Sequence, residues 1–477
     1  MGEQKMPYAF RKGERVTSDL YGEGEILSIH GSWALVRILS IDTSVRLPLE
    51  TLVTTFPRGV GEVADPKEQR SQTSRPSQPS QTSQRARQAA LGKGAPADLA
   101  ACRSRVVVEC LRQGLPPLGA IRDFTVGDAV QERIRGTIRA AAEGKGSCLV
   151  LKAPYGQGKS HWGQFARETG LGCGLMTMHV ELDGQQRSLS KTTTAAAVVG
   201  ELLESARLPD GGDALHDDPG DGFRWVIQRA AREFLCACAG GAAAARVRSS
   251  AGALRFLRLE TLARLVAQND GVVEVLERYL TGALGRVDAV REVNGLTGVH
   301  VSFPPLRMTW GSVGERRAAQ AAVLAEAVRL GMVAGARGAV LVVDEIDHDI
   351  PVWERGVGET LGTWLQLVKT LPVVVVLLTP VAIGIEEGLG GNLAIEPFSR
   401  EEADELVGRT LDAYGRAFPA KAVVSGREEL MDALWDCFEE EYGSAGWGPR
   451  FFVRAAIEAC EIARLRGLGS LEEVEVA

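Results

Sequence analysis

Aromatic residues make up only 6% of this 477-residue chain, so its cores must rest on Ala, Val, Leu and Ile. No apolar run reaches the roughly 18 residues a membrane-spanning helix requires. The greasiest stretch, Leu371 to Leu378, is of strand length. The first residues lack a charged-then-apolar export signal, and a cytoplasmic protein is expected. Cysteine is sparse, 8 in all, with no CxxC pair. Cys236 and Cys238 sit in an apolar stretch, which suggests reduced, mostly buried thiols and argues against a zinc site or disulfide scaffold. The 6 histidines show no metal-ligand spacing. A basic excess is missing too: 54 Lys and Arg face 61 Asp and Glu, a net charge of −7. That balance excludes a protein that coats nucleic acid over its whole surface, though not a local DNA-binding face.

The length calls for two or three domains, and composition divides the chain into three regimes. Residues 1–58 hold short alternating segments, Arg15 to Thr17, Glu25 to Ile29, Ala34 to Ile38 and Ser44 to Leu47, separated by Gly22, Gly24 and a His30-Gly31-Ser32 turn. Their spacing predicts a small all-β, SH3-like barrel. Residues 59–98 lose large apolar side chains and become rich in Ser, Gln and Pro, the composition of a disordered linker. From residue 99 onward the pattern is α/β. Cys148 to Leu151 and Met178 to Leu182 read as strands, and Gly338 to Val343 and Pro372 to Leu378 as central parallel strands covered on both faces. Residues 205–335 are mostly helical, as is the stretch after Ser399.

The chemistry is concentrated in two segments. Ala153-Pro154-Tyr155-Gly156-Gln157-Gly158-Lys159-Ser160, followed by His161, is a Walker A loop between a strand and a helix. Its glycines let successive backbone N–H groups turn toward a phosphate, and the helix beginning at Lys159 presents its positive end. Lys159 is expected to neutralise the β- and γ-phosphates, and Ser160 to ligate Mg2+. Val340 to Val343 followed by Asp344-Glu345 is an apolar strand ending in two acids, a Walker B segment. Asp344 is expected to hold the Mg2+ shell and Glu345 to act as the general base toward water. Asp347 and Asp349 read as turn or cap residues. Thr379, at the end of the Val373 to Leu378 strand, and Arg450, in Gly448-Pro449-Arg450, sit where additional-strand ATPases place their two γ-phosphate sensors. Arg355 is a candidate arginine finger. Ser399-Arg400-Glu401-Glu402 is a capping box that should open the lid.

From about residue 106 to 465 the chain resembles the ATP-binding protein of bacterial BREX phage-defence systems, the D-type ATPase. The carrying segments are Glu109 to Pro117, Ala153 to His161, Leu341 to Asp347, the Thr379-Pro380 strand end and Gly448 to Phe452. The resemblance implies an AAA+, origin-recognition-like core acting with ATP in a defence or DNA-processing complex. Where those relatives usually have Glu or Gly at the first Walker A position, this chain has Ala153, which serves mainly through its backbone. Gly13 to Glu50 is similar to CarD-type or KOW/Tudor-like barrels, which often bind RNA polymerase or nucleic acid. Residues 1–58 carry no net charge, so a protein partner fits better than DNA.

The expected architecture is thus a P-loop NTPase core at 99–398, AAA+-like and of the additional-strand type, with a helical insertion at about 205–335. A helical lid at 399–477 and the N-terminal barrel complete it. The expected function is Mg-dependent ATP hydrolysis coupled to assembly or remodelling on DNA, as a homo-oligomer with other defence-system proteins. A nucleotide-gated scaffold with little turnover, recruiting RNA polymerase or another partner through the barrel, is the competing class. A replication-type loader shares the same core.

Overall fold

The computed structural model describes strand segments within residues 15–54 and most of residues 96–474; positions 118, 155, 184, 270 and 304–305 and stretches 210–221, 239–258, 347–356, 381–388, 420–424 and 442–447 lie outside the description. The expectations for the linker up to residue 95 and for Tyr155, Asp347, Asp349 and Arg355 therefore fall outside the described residues.

Five short strands form at the N-terminus: β1 (Arg15–Ser18), β2 (Gly22–His30), β3 (Trp33–Ile38), β4 (Thr43–Pro48) and β5 (Leu52–Thr54). They pair antiparallel in the order β4-β3-β2-β1-β5, with a bulge between Ile26 and Ser28. Ile26 is fully buried.

A second, wholly parallel sheet organises the rest. Its strands are β6 (Ser147–Lys152), β7 (Met176–Glu181), β8 (Ala339–Asp344), β9 (Val373–Thr379) and β10 (Gly390–Ala394), in the order β10-β6-β9-β8-β7. Strand β9 thus stands between the strand that leads into the Gly-rich loop and the strand that ends in two acids, an arrangement consistent with a P-loop-like core. The register pairs Lys152 with Thr379 and Glu181 with Asp344, so the ends of four strands share one edge. Open parallel sheets bind ligands at this carboxyl edge, beside the strand where the connections change direction. Here that strand is β6: the chain leaves it for the β7 side and later returns to its other flank as β10.

Side-chain alternation explains why β8 and β9 are apolar without interruption. Val374, Val376 and Leu378 face one layer, helices α2 (Asp128–Ala142) and α3 (Lys159–Gly172). Val373, Val375 and Leu377 face the other, larger layer. That layer contains α4 (Thr192–Glu204), α5 (Gly222–Cys238), α6 (Leu259–Gln268), α7 (Gly271–Leu280), α8 (Arg286–Thr297), α9 (Val313–Val333) and the short α10 (Gly358–Leu365) and α11 (Leu367–Thr370). A strand with both faces covered has no polar face to alternate with.

The third core is the lid: α12 (Arg400–Ala417), α13 (Arg427–Glu441) and α14 (Gly448–Arg466). Ser399 caps α12 reciprocally with Glu402, as the sequence predicts. A helix from far upstream joins them. Val107, Val108 and Leu111 of α1 (Pro96–Arg112) are buried among lid side chains, and Arg112 donates to Glu461 of α14 at 2.9 Å. The lid core is therefore built from both ends of the α/β region. Strand β10 went unread in the sequence because Gly390-Gly391-Asn392 has low strand propensity. Gly390 is needed there by packing, since a Cβ would lie 1.7 Å from the carbonyl oxygen of Cys148. The expectation of mostly buried thiols needs correction: among the seven described cysteines only Cys148 and Cys460 are buried, Cys102, Cys110, Cys173 and Cys437 are half-buried, and Cys236 is exposed on α5. Among the described residues, no helix is long and apolar enough to cross a membrane.

Helix α3 lies unusually close to the sheet. A Cβ at Gly163 would sit 2.6 Å from Leu378 Cδ1 and 3.1 Å from Val342 Cγ1, and one at Gly170 would sit 2.7 Å from Val340 Cγ2. These glycines are two helical turns apart on the face that meets the strands. Gly163→Val is expected to destabilise the protein by about 1–3 kcal/mol through overpacking. Gly136→Ala, at an open position on α2, is expected to stabilise by about 0.5–1 kcal/mol. Shifts of the denaturant midpoint in the same direction for both variants would contradict the packing argument.

Candidate functional site

A cleft of about 440 Å³ opens between the carboxyl edge of the parallel sheet and the lid. One end of the cleft is built by the Gly-rich loop after β6. Gly156 and Gly158 have φ of 83° and 77°, left-handed values that a Cβ resists, and they turn the chain into α3. Helices α9 and α12 start with Ser–Glu capping boxes. Helix α3 has Gly158 at its cap, no side-chain cap bond and no acidic residue in its first turn. Its first amides and the positive end of its dipole are thus left to an anion.

Lys159, only 6% exposed, folds back over the loop and donates to the carbonyl oxygens of Ala153 at 3.1 Å and Pro154 at 3.3 Å. Burial pulls its ammonium below the ordinary lysine range, while the carboxylates of Glu345 and Asp344 pull it back up. Ala153 itself is buried, with its N–H on Thr379 O at 3.0 Å.

Asp344, the last residue of β8, is 2% exposed and is hydrogen-bonded to the Ser160 hydroxyl. Its Oδ1 also accepts from Glu345 N at 2.7 Å. That bond fixes an uncommon backbone: Glu345, at φ 56°, is the sole non-glycine residue with positive φ among the described residues. Such strain costs on the order of 1–3 kcal/mol and tends to be kept where a side chain must point a particular way. Glu345 is half-buried and lines the cleft.

The structure brings together Gly156, Gln157, Gly158, Lys159, Ser160, His161, Glu345 and Arg450 as walls of one cleft. Asp344, Ala153 and Thr379 lie beneath it, and Pro154 is exposed at its rim. Thr379 is fully buried, level with Lys152 on the neighbouring strand. Arg450, in the first turn of α14, closes the lid side. Its Cδ and Nε lie 2.9 Å from where a Cβ of residue 114 would be, a contact that the exposed arginine can relieve by shifting, so it is the backbone, at φ 69°, that favours glycine at 114.

Sequence reasoning did not assign the wall opposite the Gly-rich loop. Leu115, Pro116 and Pro117 follow α1, Val126 and Gly127 precede α2, and Leu406 and Val453 come from the lid. Their mostly apolar surface suits a flat ring rather than a charged group. The available signal was the Gly-Leu-Pro-Pro run after a helix, a helix stop that could equally have been an ordinary turn. His161 is half-buried beside Thr125, and burial pushes its imidazole down to about 4, so it is neutral near pH 7. Among the described residues, no group of three or more His, Cys, Asp or Glu side chains is placed to hold a metal.

Residues 100–227 match the family of BREX system ATP-binding proteins BrxC/D. The matched stretch contains most of α1, the Gly-Leu-Pro-Pro wall, the phosphate loop and α3, and ends early in α5. Asp344, Glu345, Thr379 and Arg450 lie beyond it, so their placement rests on the geometry alone. No curated protein matches the chain.

Burial raises the Asp344 carboxyl from 3.8 to about 6, against the lowering pull of its bonds to Ser160 and Glu345 N. The folded state therefore prefers the protonated acid. The destabilisation from ionising it is absent below about pH 4, grows as pH rises and is fully developed above about pH 6, at most about 3 kcal/mol. In nucleotide-free and Mg-free protein, Asp344→Asn is expected to raise the thermal midpoint at pH 8 and leave it near wild type at pH 4. A lower midpoint at pH 8 would show that the carboxylate stabilises the fold instead.

Proposed function

We propose that the cleft binds Mg·ATP and hydrolyses it, and that the protein serves a bacterial phage-defence assembly. The carrying observation is the convergence of Lys159, Ser160, Glu345 and Arg450, from three distant stretches of sequence, on one cleft between sheet and lid. The match of residues 100–227 to BREX ATP-binding proteins supports the nucleotide and the defence setting.

In this reading the amides of the Gly156–Ser160 turn and the Lys159 ammonium hold the β- and γ-phosphates. The apolar wall of Leu115, Pro116, Val126, Leu406 and Val453 takes the adenine ring. Ser160 and Asp344 form a hard oxygen pair, already hydrogen-bonded to each other, whose buried acid gains most from a cation. Mg2+ commonly takes only one or two protein ligands alongside phosphate and water, so this donor set fits it. When bound, the ion would offset charge on the β- and γ-phosphates. Glu345, held by its backbone toward the cleft, accepts a proton from the attacking water. Thr379 supports the phosphate loop from the adjacent strand end, and Arg450 reaches the γ-phosphate from the lid, reporting its presence to α14.

A homo-oligomer, in which a neighbour supplies an arginine to the cleft, agrees with this chemistry. So does work on DNA together with other defence-system proteins. The N-terminal strands are assigned to a barrel that recruits a protein partner, RNA polymerase being one such partner. A cytoplasmic location follows from that setting.

Steady-state hydrolysis by wild type and Glu345→Gln, each with and without duplex DNA, tests the proposal. Loss of a general base is expected to lower turnover by about 100-fold or more while ATP binding survives. A rise in wild-type turnover with DNA would support coupling to DNA. Turnover indifferent to Glu345→Gln would remove it from catalysis. Tight Mg·ATP binding without turnover in every condition would replace the enzyme with a nucleotide-gated scaffold.

A further inference from the structure

Thr125, at 1% exposure, hydrogen-bonds to four parts of the molecule. Its hydroxyl donates to Ile121 O at 2.6 Å, closing the single helical turn Ile121–Phe124. A hydroxyl has one proton to give. The 2.9 Å contact between Thr125 Oγ1 and His161 Nε2 must therefore run the other way, with the imidazole donating. On its carbonyl side, Thr125 O accepts from Gln131 Nε2 of α2 at 3.2 Å and from Arg409 Nη1 of α12 at 3.0 Å. The same Arg409 nitrogen donates to Asp123 O at 3.1 Å. One side of this residue is therefore held by the first turn of α3, beside Ser160, and the other by the first lid helix. The next two residues, Val126 and Gly127, line the cleft.

We propose that Thr125 is a positioning residue that passes occupancy of the phosphate loop to the lid, through His161 on one side and Arg409 on the other. This rests on the Mg-nucleotide reading of the cleft and adds a route for its regulation. An anion on the α3 amides draws the first turn of that helix toward it, and His161 moves with the turn. Hydrogen bonds weaken steeply with distance and angle, and a close-packed interior does not absorb the shift. The displacement reaches the Thr125 carbonyl and the guanidinium that fastens α12. Arg450 is a separate route, because it addresses the γ-phosphate from the lid directly. The two differ in what they report: Thr125 reports that the loop is filled, and Arg450 reports that a third phosphate is present.

ADP separates them. Amide hydrogen exchange along α12 would be followed in the full-length protein with and without Mg·ADP, alongside ADP affinity. In wild type the nucleotide is expected to slow exchange in α12 at least about fivefold, the low end of ordinary coupling between sites. Because the adenine wall includes Leu406 of α12 itself, Thr125→Val should reduce the slowing to the part that this direct contact supplies, and ADP affinity should fall by no more than the same factor, as linkage requires. Thr125→Ser, which restores the hydroxyl, should recover the wild-type response. Arg409→Met, altered on the partly exposed side of the relay, should show the same reduction and also covers the case in which Thr125→Val fails to fold. Unchanged slowing in Thr125→Val or Arg409→Met overturns the proposal, as does wild type that binds ADP without any change in α12. Wild type that binds neither ADP nor ATP overturns the nucleotide reading itself, and the coupling with it.

Discussion

Everything at the cleft depends on how near α3 can come to the strands beneath it. Gly163 and Gly170 remove the side chains that would hold it away from Val340, Val342 and Leu378. Because the helix lies low, its first turn meets the carboxyl edge of the sheet at the height of Asp344 and Thr379. The Ser160 hydroxyl then reaches a carboxylate on β8, two strands away from its own. The parallel register completes the arrangement by bringing Lys152 level with Thr379, and Glu181 level with Asp344. A helix standing further out would separate the anion-binding amides from the acids, and neither group could act on the same ligand.

The site is electrostatically unsatisfied in a directed way. An uncapped helix start and a buried ammonium face a buried acid and a half-buried one across a small volume. Lys159 donates to two loop carbonyls, and Asp344 accepts a hydrogen bond from the Ser160 hydroxyl. Each arrangement is adequate without a ligand, and each leaves a charge in a medium that disfavours it. The strained backbone of Glu345 belongs to the same balance, since the bond from its N–H to Asp344 both fixes that conformation and compensates the buried acid.

Much of this was legible in the sequence because local signals and tertiary demands agree there. Continuous apolar runs marked β8 and β9, since both faces of those strands are covered, and Ser399 with Glu402 marked the lid helix. The Gly-rich loop and the paired acids were readable because each motif sets residue types at fixed spacing. Other features carried no such mark. Gly390-Gly391-Asn392 resembles a loop and becomes a strand because β6 offers it a backbone partner. Helix α1 shows an ordinary amphipathic pattern, which says that it packs but not against what, and its partner lies about 300 residues away. The wall from Leu115 to Pro117 looks like a turn until the fold sets it opposite the phosphate loop. The N-terminal strands agree with the expected short β segments, and their order, β4-β3-β2-β1-β5, was not readable from spacing.

The packing of α1 has a mechanical meaning. The chain passes between lid and sheet twice, once from Arg112 to Asp128 and again from Ala394 to Arg400. A body joined to another at two separated points turns about the line between them and resists twisting in other directions, as a door on two hinges does. The lid is thus suited to opening and shutting along one path. The N-terminal strands, moreover, enter the body through α1, on the door rather than on the frame. In chain order those strands thus adjoin the unit of α12, α13 and α14, through α1, before they adjoin the sheet.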